Sequence, residues 1–174
     1  PQPLQLETVA LGELIAECAT ELGSLYEQRQ VELHIDLGES RTSGLPDLEA
    51  EGPRPPPLRV SADERMLRQT LLNLIRNAAE AIPQDKPERR VAVRVFTELD
   101  ASGKHWAVAE VKDTGAGIPA ADLQRIFIPF FTTKVTGHGV GLALAHRVIT
   151  EHGGTLTAAN AAQGGAVFTI RLPL

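Results

Sequence analysis

The amino-acid sequence predicts a single domain of the α+β class. The chain has 174 residues, of which 43% are hydrophobic and 22% are charged, and this size and composition fit one domain with a substantial core. Three segments repeat apolar residues every three or four positions, as amphipathic helices do, and others alternate apolar with polar residues, as half-buried strands do. Both patterns occur in one chain of single-domain size, so we expect helices and strands to share one core.

The first third of the chain is predicted to form a helix, a strand and a loop. The helix covers Leu11–Gln30, where apolar residues recur at intervals of three and four. The strand covers Val31–Leu37, which alternates apolar with polar residues. Residues 38–58 are rich in proline and glycine and carry many charges, so we expect an exposed loop insertion there.

A second helix and two strands are predicted in the middle of the chain. Ser61–Glu64 has the form of a capping box, in which the serine accepts from a helical amide and the glutamate reaches back. The helix that it starts is expected over Arg65–Ile82. Two strands follow, Val91–Phe96 and Trp106–Val111, joined by a turn at residues 101–103.

The last part of the chain is predicted to contain one helix and two strands. The helix covers Leu142–His152 and ends at the glycine pair Gly153-Gly154. The strands cover Thr155–Ala158 and Ala166–Leu172, on either side of a turn at Gly164-Gly165.

Charge and composition exclude several classes of protein. A net charge of −5 and a pI near 5.5 argue against a broadly basic nucleic-acid surface. The single cysteine, Cys18, excludes an internal disulfide and a zinc site built from thiolates. No apolar run approaches the ~20 residues of a membrane helix. The chain starts at Pro1 without a methionine, so we expect it to be a piece of a longer protein. The single cysteine and the lack of a signal-peptide pattern favour a cytoplasmic domain.

The second helix carries a polar stripe. Gln69, Asn73, Asn77 and Glu80 are spaced by three and four residues and therefore share one face of an otherwise apolar helix. A buried carboxamide without a partner costs about 1–3 kcal/mol. The asparagines are therefore either satisfied by neighbouring backbone or aimed at a polar ligand, and an asparagine oxygen suits magnesium.

Two glycine-containing segments have the chemistry of a nucleotide site. In Asp113–Pro119 a carboxylate enters a turn with two glycines, where it could accept from an exocyclic amino group such as that of adenine, or form an ordinary turn. In Gly137–Leu142 alternate glycines precede a helix, which favours either a phosphate cradle or a flexible hinge. Neither of the two best-known phosphate-binding glycine motifs is present.

Aromatic residues are concentrated in Ile126–Lys134, which holds three of the five phenylalanines of the chain. This segment is either a core aromatic cluster or a lid anchored by aromatic rings, with Lys134 facing phosphate charge.

Five segments, in this order along the chain, resemble the ATP-binding boxes of two-component sensor histidine kinases, in the wider GHKL group of ATPases and kinases. They are Asn73–Ala78, Asp113–Ile118, Phe127–Lys134, Gly137–Leu142 and Gly164–Phe168. The similarity covers about residues 4–174, and the segments Pro129–Lys134 and Glu151–Gly154 resemble the nitrogen-regulation type especially. The resemblance implies a two-layer α/β sandwich over residues 1–174. Its mixed sheet is covered on one face by three main helices, with a mobile ATP lid over residues 119–138.

The resemblance also implies roles for individual residues in binding ATP and Mg²⁺. Asn77 binds the metal, and Asn73 holds a water in the same shell. Asp113 accepts from the adenine amino group, Thr169 supports the adenine, and Lys134 neutralises phosphate charge. The other implied nucleotide contacts are Gly115, Gly117, Ile118, Thr133, Gly137, His138, Gly139, Val140, Gly141 and Leu142. The implied anchors of the lid are Phe127, Phe130 and Phe131.

The residue one helical turn before the implied magnesium ligand bears on the type of reaction. ATPases of the group have a glutamate one turn before that asparagine, where it activates water, whereas this chain has Asn73, which cannot act as a base. The resemblance therefore implies transfer of the γ-phosphoryl group to a protein, with Asn73 and Lys134 as catalytic residues. None of the five histidines has the context of a phosphoacceptor.

The implied acceptor is a histidine on a dimerisation and phosphoacceptor helical hairpin outside this chain, which would serve a response regulator indirectly. We expect the chain alone to be a monomer, without nucleic-acid or membrane contact. Two alternatives remain open at this point: a GHKL ATPase or serine-directed kinase, and a nucleotide-binding module without catalysis.

Overall fold

The computed structural model describes residues 2–38, 57–131 and 141–174. Within these residues the helices and strands are β1 (Glu7–Ala10), α1 (Leu11–Glu21), α2 (Gly23–Arg29), β2 (Glu32–Asp36), β3 (Arg59–Ala62), α3 (Glu64–Glu80), β4 (Arg90–Leu99), β5 (His105–Asp113), α4 (Gly141–Glu151), β6 (Thr155–Asn160) and β7 (Ala166–Pro173).

The central feature is a five-stranded sheet with the order β2-β4-β5-β7-β6. β2 pairs with β4 in parallel, and the other neighbours pair antiparallel. The predicted mixed sheet is therefore confirmed. β1 and β3 form a separate antiparallel pair.

The helices cover one face of this sheet. On β7 the side chains of Ala166, Phe168, Ile170 and Leu172 are buried, and those between them are half-buried. The buried side chains pack in one cluster with the apolar residues of α1, α3 and α4. On the other face the polar pair Arg171 and Glu98 forms an ion pair across the sheet. This arrangement confirms the two-layer α/β sandwich.

The first helical segment is interrupted, where one helix was predicted over residues 11–30. α1 ends at Glu21, and its C-cap Leu22 has φ −90° and ψ 2° and donates its amide to the carbonyl oxygen of Cys18. Gly23 follows at once, and glycine is a poor helix former. The three-and-four periodicity continues through the break, so periodicity alone does not show it.

The predicted capping box at Ser61–Glu64 is wrong. Ser61 lies in β3, opposite Thr8 of β1, and the residue that caps α3 is Asp63, whose carboxylate accepts from the amide of Met66 at 3.3 Å. The pairing of β3 with a strand near the start of the chain determines where the helix can start.

Glycines end α4 and form the last turn, as predicted. Gly153 follows α4 with φ +76°, and Gly164 and Gly165 have φ +100° and +81°, in the left-handed region that favours glycine. The predicted loop insertion at 38–58 lies outside the described residues except at its ends. Among the described helices, none is long and apolar enough to cross a bilayer.

Candidate functional site

The polar stripe of α3 is anchored in place by α2. Asn73 and Asn77 lie one turn apart on α3 and are both half-buried. Between them, the carbonyl oxygen of Ile75 accepts a buried 2.6 Å hydrogen bond from the hydroxyl group of Tyr26 on α2. Helix α3 is thus held to α2 at the level of the two asparagines.

The N-terminus of α4 packs directly against Asn73. A Cβ atom at Gly141, the first residue of α4, would lie 2.8 Å from both Nδ2 and Oδ1 of Asn73, closer than real Cβ contacts allow. A cleft of about 360 Å³ extends from this contact between α3 and α4, and its lining also includes Gln69 and Arg76. The structure therefore brings together two predicted site residues that are 68 positions apart in the chain.

Asp113 is a buried carboxylate with one oxygen already paired. It ends β5 with 1% of its surface exposed. Its Oδ1 atom accepts from the amides of Gly115 at 2.8 Å and Ala166 at 3.2 Å. Burial raises the pKa of Asp113, and the two amides partly offset that rise. Within the described residues no hydrogen bond reaches Oδ2, so this oxygen can accept from a ligand.

The loop after Asp113 lies between α3 and the β6–β7 turn. A Cβ atom at Gly115 would lie 2.5 Å from the carbonyl oxygen of Ala81, at the end of α3, and one at Gly165 would lie 1.9 Å from the carbonyl oxygen of Asp113. Because glycine has no Cβ atom, the backbone at these two positions can lie closer to the carbonyl oxygens of Ala81 and Asp113 than any other residue would allow.

The far end of this loop is held by a residue that sequence reasoning missed. Asn160, the last residue of β6, accepts from the amide of Ile118 and donates to its carbonyl oxygen, both at 2.7 Å. Gly117 beside it has φ +80°, and a Cβ atom there would lie 2.9 Å from Oδ1 of Asn160. A lone polar residue at a strand end gives no pattern by which this contact could have been found.

Thr169 lies on the wrong face of the sheet for its predicted role. It is paired with Glu110 of β5, so its side chain projects from the face opposite to that of Asp113, three residues further along the same strand. Its position contradicts the prediction that it supports a base held by Asp113. The residue of β7 that reaches this carboxylate is Ala166, through its backbone amide. The alternation of apolar and polar residues along β7 already indicated that Thr169 faces away from the core.

Comparison with known proteins decides the family. Residues 62–174 match the family of histidine kinase-, DNA gyrase B- and HSP90-like ATPases. The chain belongs to this family. It is 32% identical to the sensor histidine kinase ZraS of Salmonella typhimurium LT2 over 174 residues, which is all of this chain and 32% of ZraS. The chain thus spans about a third of the length of the curated relatives it matches.

Solved histidine kinase domains have the same fold. The mycobacterial sensor histidine kinase MprB shares 27% identity with this chain at a TM-score of 0.72, over 97% of each chain. The catalytic domain of the histidine kinase ThkA shares 26% identity at a TM-score of 0.73, over 97% of this chain and 95% of that one. The predicted kinship with histidine kinases is confirmed, and the nitrogen-regulation type stays a prediction.

The aromatic segment at residues 126–131 is partly packed against the core. The ring of Phe127 stacks on His146 of α4, with centroids 5.0 Å apart, and Phe131 lies under the guanidinium group of Arg125 at 4.9 Å. Phe130 has φ +68° and is 78% exposed. The prediction that Phe130 anchors this segment is therefore wrong, because its turn conformation leaves the ring in solvent.

The remaining predicted site residues divide between α4 and residues 132–140. Leu142, in the first turn of α4, is partly buried against the core. Thr133, Lys134, Gly137, His138, Gly139 and Val140 lie outside the described residues, as does the second part of the predicted lid.

Proposed function

We propose that this domain binds Mg-ATP between α3, the loop 113–118 and the N-terminus of α4, and passes the γ-phosphoryl group to a histidine on a helical hairpin outside this chain. The observation that carries the proposal is the geometry of Asp113. Two backbone amides hold Oδ1, which leaves Oδ2 to accept a hydrogen bond from the amino group of adenine.

The two contacts of α3 indicate where the adenine and the phosphates of the nucleotide lie. The loop of Asp113 meets α3 at Ala81, and α4 meets it at Asn73. Ala81 follows Asn73 by eight residues, or about 12 Å along the helix axis. The adenine therefore lies near the C-terminus of α3, and the phosphates run towards Asn73 and the N-terminus of α4, where the helix dipole favours negative charge.

The chemistry of α3 suits magnesium. Amide oxygens are hard ligands, and magnesium commonly keeps waters and shares its shell with phosphate oxygens. Among the described residues no group of three or more His, Cys, Asp and Glu could hold a metal. The resemblance of Asn73–Ala78 to the metal-binding segment of the family supports Asn77 as the metal ligand, with Asn73 placed to hold a water of the same shell. When bound, the ion would neutralise charge on the phosphates.

The acceptor is a protein group and not water. The resemblance to the ATPases of the group supports Asn73 as the counterpart of their catalytic glutamate, and a carboxamide cannot accept a proton at neutral pH. The cleft between α3 and α4 is lined by Asn73 and by the exposed residue Arg76, and we propose that an external acceptor side chain reaches the γ-phosphate through it. Lys134, Thr133 and the residues 137–142 are proposed phosphate contacts, and Lys134 would stabilise the transferring group.

The first test is binding. We expect calorimetric titration of the chain with ATP to show tighter binding with magnesium than without it, and Asn77→Ala to remove most of that difference. Thr157→Ala, an exposed change on β6, is the matched control. Absence of ATP binding by the unmutated chain would contradict the proposal.

The second test is transfer. When the hairpin of the parent protein is supplied with Mg-ATP, we expect acid-labile phosphohistidine on it, and from there transfer to a response regulator. Steady release of phosphate without an acceptor would indicate an ATPase instead. Acid-stable phosphoserine would indicate a serine-directed kinase, and binding without any transfer a module without catalysis.

A further inference from the structure

The side chain of Asn160 pairs with the main chain of Ile118 as one strand residue pairs with another. Its Oδ1 accepts from the Ile118 amide and its Nδ2 donates to the Ile118 carbonyl oxygen, both at 2.7 Å. A carboxamide presents one acceptor and one donor in the same plane, so it can replace a peptide group of a neighbouring strand. Both groups of one residue, 42 positions earlier in the chain, are held in this way.

The β6–β7 turn does not need this contact for its own closure. The turn is closed by hydrogen bonds from the amide of Ala161 to the carbonyl oxygen of Gly165 at 2.9 Å, and from the amide of Gly164 to the carbonyl oxygen of Ala161 at 3.1 Å. The Asn160 side chain is therefore free to act on the neighbouring loop. Within the described residues, both hydrogen bonds of the Ile118 main chain go to Asn160.

The hairpin of β6 and β7 thus holds the Asp113 loop at both ends. At one end the amide of Ala166 binds the carboxylate of Asp113, and at the other Asn160 holds Ile118. Gly117 permits the second contact, since a side chain at this position would collide with Oδ1 of Asn160. The segment between these two anchors is the wall of the proposed adenine site.

We propose that Asn160 is a positioning residue of the nucleotide site, which fixes the Gly117–Ile118 segment at the distance from Asp113 that adenine requires. The role rests on the proposed function. Without the two hydrogen bonds the loop would populate other positions, and apparent affinity falls in proportion to the fraction of molecules in the competent one. Loss of two neutral hydrogen bonds corresponds to a decrease in affinity of about 10-fold.

The test compares Asn160→Ala and Asn160→Asp with the unmutated chain and with Thr157→Ala, the exposed control on the same strand. Mg-ATP affinity is measured by calorimetry, thermal unfolding by circular dichroism, and exchange of the Ile118 amide hydrogen by NMR. For Asn160→Ala we expect about 10-fold weaker binding and faster exchange at Ile118, with cooperative unfolding retained. Thr157→Ala should change none of the three.

The Asn160→Asp variant tests whether both hydrogen bonds to Ile118 are needed or whether any polar side chain at this position is enough. Aspartate keeps an acceptor for the Ile118 amide but sets a second oxygen against the Ile118 carbonyl, so we expect it to bind ATP no better than Asn160→Ala. This isosteric variant carries the test if the alanine variant does not fold.

The outcomes distinguish the two proposals. If the unmutated chain does not bind ATP, the proposed function fails. If it binds and Asn160→Ala binds equally well, the role of Asn160 is overturned while the proposed function stands. A lower unfolding temperature with unchanged affinity would show that Asn160 only stabilises the fold, and would equally overturn the proposal.

Discussion

Replacement of Asp113 by asparagine tests the adenine site most directly, because the structure identifies which atom changes. Oδ1 is held by the amides of Gly115 and Ala166, and the oxygen of an asparagine can accept both of these bonds. Its Nδ2 must then occupy the position of Oδ2. The substitution therefore keeps the loop anchored and converts one acceptor, the one proposed to face the base, into a donor.

The expected effect on ATP is large. A hydrogen bond to a charged group contributes about 1.5–3 kcal/mol, which corresponds to a decrease in affinity of roughly 10- to 150-fold. In the Asp113→Asn variant the new amide donor would in addition face the amino group of adenine. Inosine triphosphate carries a carbonyl oxygen in place of that amino group. We expect Asp113→Asn to bind inosine triphosphate better than it binds ATP, whereas the unmutated chain has the opposite preference.

The stability of this variant supplies an independent check. Because burial raises the pKa of Asp113, the folded chain favours the protonated carboxyl group. The stabilisation that this provides is present below the pKa of the unfolded chain and is lost as the pH rises through the folded-state value. At neutral pH the neutral amide should therefore be at least as stable to urea as the ionised carboxylate.

The assignment of Oδ2 to adenine is tested by calorimetric titration of both proteins with both nucleotides. Urea unfolding at neutral pH is measured beside it. Unchanged ATP affinity in Asp113→Asn would refute the assignment of Oδ2 to adenine. An equal loss for both nucleotides would refute the donor and acceptor reasoning, since it would show that the loop had moved.

Three further predictions concern the rest of the fold. Gly165→Ala should destabilise the chain by about 2 kcal/mol more than Gly164→Ala in urea unfolding, because its Cβ would overlap the Asp113 carbonyl oxygen whereas nothing lies within 4 Å at Gly164; equal losses would contradict this. Burial raises the pKa of Cys18 to about 11, so its thiol should react with a disulfide reagent only on unfolding, and rapid reaction of the native chain would contradict this. Hydrogen bonds from the amides of Gln5 and Met66 lower the pKa of Asp63, so Asp63→Ala should lower the thermal midpoint of unfolding at neutral pH. This difference from the unmutated chain should shrink as the pH falls below 3.8, and a difference that stays constant with pH would contradict the prediction.

Much of the fold could be predicted because the relevant interactions are local. Helix α3 follows from the three-and-four spacing of its apolar residues, and its polar stripe from the same spacing. The end of α4 follows from Gly153, which takes the left-handed conformation that a helix stop requires. The turn after Asp113 could be predicted because a carboxylate and two glycines lie within one short segment, whereas its role in binding adenine is implied only by the family resemblance.

Other features could not be predicted because they join distant segments. The local sequence predicts Ser61 as a helix cap. The pairing of β3 with β1 places Ser61 in a strand, so that Asp63 caps the helix instead. Thr169 was assigned from a motif position, but a strand places consecutive side chains on opposite faces, so an offset of one residue reverses the assignment.

The sequence by itself determined the class of the domain, the extent of most elements and the order of the segments that bear the chemistry, because each depends on residues within a turn or two of one another. Only the tertiary structure decided which segments meet: Gly141 against Asn73, Ala166 against Asp113, and Asn160 against Ile118. The physical reason is that these contacts rely on backbone groups and on strand register, and a backbone amide or carbonyl is the same at every residue of the chain.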